Sequence, residues 1–85
     1  MTADGVGAPV RLRRGYWDGV AGTYYGWPID GYIDLHHVAD GDRLDGSEVI
    51  GEGYGTMADA RAAARTADRE DPARFTAALA RGVVR

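Results

Sequence analysis

The hydrophobic pattern of this 85-residue chain changes its period once, close to Tyr54. Before that point apolar and polar residues alternate in short runs, which is typical of strands with one face in water. After it, apolar residues recur every three or four positions, which is typical of helices. Because the strands come first and the helices last, the sequence predicts an α+β domain.

The first part of the chain predicts an antiparallel meander of three to four strands over residues 10–54. Short apolar runs are separated by turn-forming residues, among them DGDRLDG at positions 40–46. In the first strand we expect Arg11 and Arg13 to share the wet face. Pro28 should end the second strand, because proline has no N–H to give to a ladder.

Two C-terminal helices are predicted after the meander, both packed on one face of the sheet. Thr56 is a good N-cap residue and an acid follows three positions later, so the first helix should begin at Met57 and run to about Arg69. Pro72 should begin a second helix, which Gly82 ends. A stripe of alanines along the first helix allows it to approach the sheet closely.

Composition limits the chain to one small domain. Residues 1–9 are small and glycine-rich and are predicted to be a flexible arm, which leaves residues 10–85 as a single α+β domain. The absence of cysteine excludes disulfides and thiolate chemistry. No apolar run suits a signal peptide or a membrane span, so we expect a cytoplasmic protein without membrane contact. All ten basic residues are arginine, a bias typical of a high-GC bacterium or its phage.

Two groups of side chains are candidates for binding a partner. The first is an aromatic cluster, since six of the eight aromatic residues lie within residues 16–32 and strand alternation leaves at least one large ring near the surface. The second is a row of arginines four residues apart on one helix face, where like charges destabilise an isolated helix by about 0.2–0.5 kcal/mol per pair. The candidate residues are Trp17, Tyr25 and Trp27 in the aromatic cluster and Arg61, Arg65 and Arg69 in the arginine row.

An anionic group must offset the repulsion within the arginine row, and three sources are open. Residues 1–55 carry four arginines against nine acids, while residues 56–85 carry six arginines against four acids. The acidic sheet of the same chain, an acidic protein or a nucleic acid would each serve. Nucleic acid is disfavoured, because phosphate-driven binding usually needs a basic domain and this chain has a net charge of −3.

The sequence offers little for catalysis, and we expect no cofactor, no metal ion and no catalytic residue. His36 and His37 are adjacent on a strand, so they point to opposite faces and cannot chelate one metal ion together. A nucleophilic site would require Ser47, the only serine, to meet His36. The glycines of residues 51–55 lack the βαβ unit that dinucleotide binding needs.

These observations predict a small non-catalytic protein-binding module, with an interaction or regulatory role, that uses the aromatic cluster and the arginine row. A chain of this length buries only about 60–65% of its unfolded surface, so we also expect a homodimer. A nucleic-acid-binding protein with the arginine row on phosphates is the alternative. A small-ligand or metal-binding enzyme is the second alternative.

Overall fold

The computed structural model describes residues 7–71, which form a four-stranded antiparallel sheet with one helix packed on a face of it. The strands are β1 (Val10–Trp17), β2 (Val20–Ile29), β3 (Tyr32–Ala39) and β4 (Glu48–Tyr54), and they lie side by side in chain order. Helix α1 (Met57–Glu70) follows β4. The predicted α+β meander is confirmed with four strands and this helix. The predicted second helix and residues 1–6 of the arm lie outside the described residues.

Tight Asp-Gly turns join the first three strands. Asp18 and Gly19 connect β1 to β2, and Asp30 and Gly31 connect β2 to β3. All four residues have positive φ, between 51° and 85°. Two-residue hairpin turns of type I′ require positive φ at both positions, and Asp-Gly is among the sequences that adopt them most readily. These two dipeptides therefore set the register of both hairpins.

Pro28 lies inside β2, so the prediction that it ends the second strand is wrong. In an antiparallel ladder the N–H and C=O of a residue point toward the same neighbouring strand. The Pro28 carbonyl accepts a hydrogen bond from the Gly7 N–H at 2.9 Å, on the side of β1 and beyond the first residue of that strand, Val10. The missing N–H therefore faces a position outside the β1–β2 ladder, and β2 continues to Ile29.

The core lies between α1 and the sheet face that it covers. Its buried centre consists of Tyr24 from β2, Leu35 from β3 and Ala64 from α1. Partly buried side chains pack around this centre: Leu12, Trp17, Ile50, Tyr54, Ala63 and Ala67. The Tyr24 hydroxyl donates a hydrogen bond to the Tyr16 carbonyl, and burial raises the pKa of Tyr24 to about 12. The predicted alanine stripe is thus the buried side of α1.

Glycines beneath α1 allow the helix to lie close to the sheet. A Cβ on Gly15 would lie 2.7 Å from the Asp68 carboxylate, and a Cβ on Gly26 would lie 2.6 Å from the Met57 sulfur. Both distances are shorter than van der Waals contact, so neither position accepts a side chain unless its neighbour moves. Close packing therefore explains part of the high glycine content, which is 13 residues of 85.

A buried carboxylate holds α1 on β1. Asp68 is 1% exposed and accepts hydrogen bonds from the Tyr16 N–H at 2.8 Å and from Arg13 Nη2 at 3.1 Å. Arg13 reaches Asp68 because a β-bulge between Arg11 and Arg13 brings it to the same side as Leu12. The prediction that Arg11 and Arg13 share the wet face of β1 is therefore wrong.

Helix α1 begins where the sequence predicts. The Thr56 hydroxyl oxygen accepts a hydrogen bond from the Asp59 N–H at 3.1 Å, which caps the first turn. The helix ends at Glu70, one residue beyond the predicted end. No helix in the described part of the chain is long and apolar enough to cross a membrane.

Candidate functional site

The two faces of the sheet differ, because α1 covers only one of them. Tyr24 and Leu35 point toward α1, so their sequence neighbours point to the other side. We call this other side the distal face. Register and alternation assign to it Arg11, Arg14 and Tyr16 from β1, Ala21, Thr23, Tyr25, Trp27 and Ile29 from β2, Tyr32, Asp34, His36 and Val38 from β3, and Val49 and Glu52 from β4.

The centre of the distal face is a row of side chains that crosses all four strands. Arg11, Tyr25, His36 and Val49 are register partners from β1 to β4. Trp27 lies beside this row, and its ring packs on His36 with the ring centroids 4.8 Å apart. His36 is only 8% exposed although it points away from α1, whereas Val49 is 47% exposed. The middle of the face is therefore densely packed and its β4 edge is open.

His36 is a buried polar side chain with one unpartnered nitrogen. Its Nδ1 lies 2.8 Å from Ser47 Oγ, while its Nε2 is buried with no hydrogen-bond partner among the described residues. Burial lowers the pKa of His36, against the opposing effect of the carboxylates of Asp34 and Glu52, and therefore favours the neutral imidazole ring. A buried polar atom without a partner costs about 1–3 kcal/mol.

The contact between Ser47 and His36 is the one that a nucleophilic site would require. In a Ser–His–Asp triad an acid holds the second ring nitrogen of the histidine. Within residues 7–71 nothing binds that second nitrogen, Nε2. The contact orients the imidazole ring against Trp27.

Charge divides the distal face from one edge of the sheet to the other. Arg11 and Arg14 lie on β1, and Arg14 forms two hydrogen bonds with Asp40, at 2.5 and 2.8 Å. These hydrogen bonds lower the pKa of the Asp40 carboxyl. Asp34 lies on β3 and Glu52 on the edge strand β4, and among residues 7–71 neither Arg11 nor Glu52 forms an ion pair. The β1 edge is therefore basic and the β4 side is acidic.

The structure brings together two of the three candidate aromatic residues. Tyr25 and Trp27 are half-buried on the distal face, on the same side of β2. Trp17 pairs with Val20 beside the first turn and packs against the core on the side of α1. Trp17 therefore belongs to a different surface from the other two.

The arginine row lies on the exposed side of α1. All three of its arginines are exposed, and none forms an ion pair within the described residues. By contrast, Arg13 binds Asp68 and Arg14 binds Asp40. The acids of the sheet therefore do not neutralise the arginine row in the described part of the chain.

Sequence reasoning missed the packing of Trp27 on His36. A signal for it is present, because the two-residue turn at Asp30 and Gly31 fixes the register of β2 against β3. Counting outward from that turn places Tyr25 opposite His36, so Trp27 becomes a diagonal neighbour of His36.

The chain matches no protein-family model, no curated protein and no solved structure. The distal face and the arginine row therefore carry the information on function.

Proposed function

We propose that this domain is a non-catalytic protein-binding module with two separate binding surfaces, the distal face and the arginine row. One observation carries the proposal: Tyr25, Trp27 and His36 form a packed aromatic centre on the sheet face that α1 leaves uncovered. An antiparallel sheet with one face on a core usually presents polar side chains on the other. Tyrosine and tryptophan rings gain free energy when a partner covers them, and they are enriched at protein interfaces.

The layout of the distal face suits a protein partner. Aromatic and apolar side chains fill most of its two middle strands, which also carry Asp34, and the charged Arg11 and Glu52 lie on its two edge strands. Protein interfaces have this arrangement of an apolar centre and a polar rim. Small-molecule sites are concave pockets, whereas this surface is spread over four adjacent strands.

The arginine row supports a second contact, with an acidic protein surface. Its two i,i+4 pairs of like charge cost about 0.4–1 kcal/mol in total, and no ion pair within residues 7–71 offsets this cost. Arginine is also well suited to interface ion pairs, because its planar guanidinium binds a carboxylate through two hydrogen bonds. Since the row and the distal face lie on opposite sides of the sheet, a partner on one leaves the other accessible.

The distal face is tested by placing aspartate at Val49, with Val20 as a matched control. The two valines are 47% and 44% exposed, but Val20 lies on the α1 side of the sheet. A tagged full-length chain is mixed with an extract to which untagged copies of the same chain are added. The proteins that the tagged chain retains are then identified. We expect Val20→Asp to retain the same proteins as the wild type and Val49→Asp to lose at least one of them. Full retention by Val49→Asp would overturn the proposal for this face.

The arginine row is tested by charge reversal. Binding is measured to an acidic protein that the wild-type chain retains in the extract experiment and that is then purified. Arg65→Glu should weaken binding by about tenfold or more, because loss of an interface ion pair costs at least about 1.4 kcal/mol. Arg43→Glu, on an exposed loop, is the matched control and should leave binding unchanged. The row serves the fold instead if Arg65→Glu lowers helix content and melting temperature together with binding. Retention of an oligonucleotide that falls steeply between about 50 and 200 mM salt would replace the acidic protein with nucleic acid.

A further inference from the structure

We propose that the partner of the distal face is a second copy of this chain, with the two sheets packed face to face about a two-fold axis parallel to the strands. This inference rests on the protein-binding function proposed above and names the partner of the same surface. Three features support it: the distribution of charge on the distal face, the position of the aromatic centre and the small core that α1 and the sheet form within residues 7–71.

Charge on the distal face is complementary to itself in one orientation. Arg11 lies on β1 and Glu52 lies on β4, which are the two edges of the sheet. A two-fold axis parallel to the strands places β1 of each copy opposite β4 of the other. Each Arg11 then lies over the β4 edge of the other copy, which carries Glu52. The dimer therefore contains this pairing of opposite charges twice. An axis across the strands would place β1 on β1 and set like charges against each other.

The same two-fold axis passes through the aromatic centre of the distal face. With this axis β2 of one copy faces β3 of the other, because these are the two middle strands. Tyr25 and His36 belong to one cross-strand row, so each Tyr25 lies over the other copy's His36. Sheets that pack face to face lie about 10 Å apart, and large side chains fill that space. Tyr25 and Trp27 supply rings of the required size.

The core of residues 7–71 is small, so a second layer packed on the distal face would add to it. The buried apolar residues of residues 7–71 are Tyr24, Leu35, Val38, Ala60 and Ala64, of which Val38 lies on the distal face. Two of them are alanines, which bury little area each. Small domains gain stability by association when one core is limited, and the distal face provides the apolar surface for it.

Exchanging the charges of the two edges tests both the partner and the axis. The mass of the full-length chain is measured by sedimentation equilibrium at micromolar to millimolar concentrations, and we expect a dimer. Arg11→Glu and Glu52→Arg each place like charges together at both contacts, so each variant alone should dissociate about tenfold or more readily. An equimolar mixture of the two should form a dimer with one chain of each kind, because both contacts then join opposite charges. Native mass spectrometry identifies this mixed dimer by its mass.

Glu48→Arg provides the matched control, because Glu48 lies on the same strand but pairs with His37 on the α1 side. It should leave the dimer intact and should fail to restore dimers with Arg11→Glu. A monomeric wild type overturns the inference, and so does a mixture of Arg11→Glu and Glu52→Arg that stays monomeric. If the wild type is monomeric while Val49→Asp still loses an extract protein, the protein-binding function stands and only the second copy is refuted.

Discussion

Loss of the Asp68 carboxylate should destabilise the domain more than the loss of any exposed charge. This side chain joins α1 to β1 through hydrogen bonds from the Tyr16 N–H and from Arg13. Asp68→Ala removes the acceptor of a part-buried backbone N–H and the partner of a guanidinium. Both groups would then lie beside α1 without the carboxylate that they bind in the wild type.

The magnitude follows from the burial of each group. A hydrogen bond to a charged group contributes about 1.5–3 kcal/mol, and truncating one member of a buried ion pair costs about 3–5 kcal/mol. Because the Arg13 side chain is 33% exposed, water replaces part of its lost solvation. We therefore expect a loss of about 2–4 kcal/mol in the free energy of unfolding, or about 10–30 °C in melting temperature.

Urea unfolding followed by circular dichroism measures this loss, at one protein concentration because association affects apparent stability. Asp45→Ala is the matched control, since the Asp45 side chain is 82% exposed and lies 4.0 Å from Arg43. It should change stability by less than about 0.5 kcal/mol. Asp68→Asn keeps an acceptor for the Tyr16 N–H and should lose less than Asp68→Ala. If Asp68→Ala costs no more than the control, Asp68 does not hold α1 on the sheet.

Three further predictions concern stability. Folding should weaken as the pH falls below about 6.5, because burial lowers the pKa of His36 in the folded domain and the unfolded chain therefore binds the proton first. His36→Gln should flatten the dependence of the free energy of unfolding on pH in this range, as measured by urea unfolding. An unchanged slope would contradict the assignment to His36. Gly15→Ala should cost about 1–3 kcal/mol in thermal unfolding, because its Cβ would lie 2.7 Å from Asp68, whereas Gly46→Ala has open space and should be nearly neutral. Thr56→Ala should cost about 1 kcal/mol through loss of the helix cap, and Thr56→Ser should restore most of it.

Local chemistry made most of the fold predictable from sequence. The change of hydrophobic period and the cap at Thr56 predict the order of strands and helix and the first residue of α1. The two wrong predictions depend on neighbours that no local pattern reveals. β2 continues through Pro28 because the proline nitrogen faces a position beyond the end of the β1–β2 ladder. Arg13 points toward α1 because a β-bulge turns it to that side, where it binds the buried carboxylate of Asp68.

The candidate site was predictable only in part, because its assembly depends on which face α1 covers. Strand alternation places Tyr25 and Trp27 together, and the turn register adds His36 to them. Proximity in sequence groups Trp17 with these residues, but its pairing with Val20 puts it on the covered side. The separation of the arginine row from the distal face likewise follows from helix packing rather than from residue spacing.

The central claim is that the distal face is a protein-binding surface occupied by a second copy of the chain. Isotope-filtered nuclear Overhauser measurements on an equimolar mixture of labelled and unlabelled full-length chain test it most directly. We expect intermolecular contacts from Tyr25, Trp27 and Val49 and none from the arginine row. Intermolecular contacts confined to α1, or none at millimolar concentration, would contradict the claim.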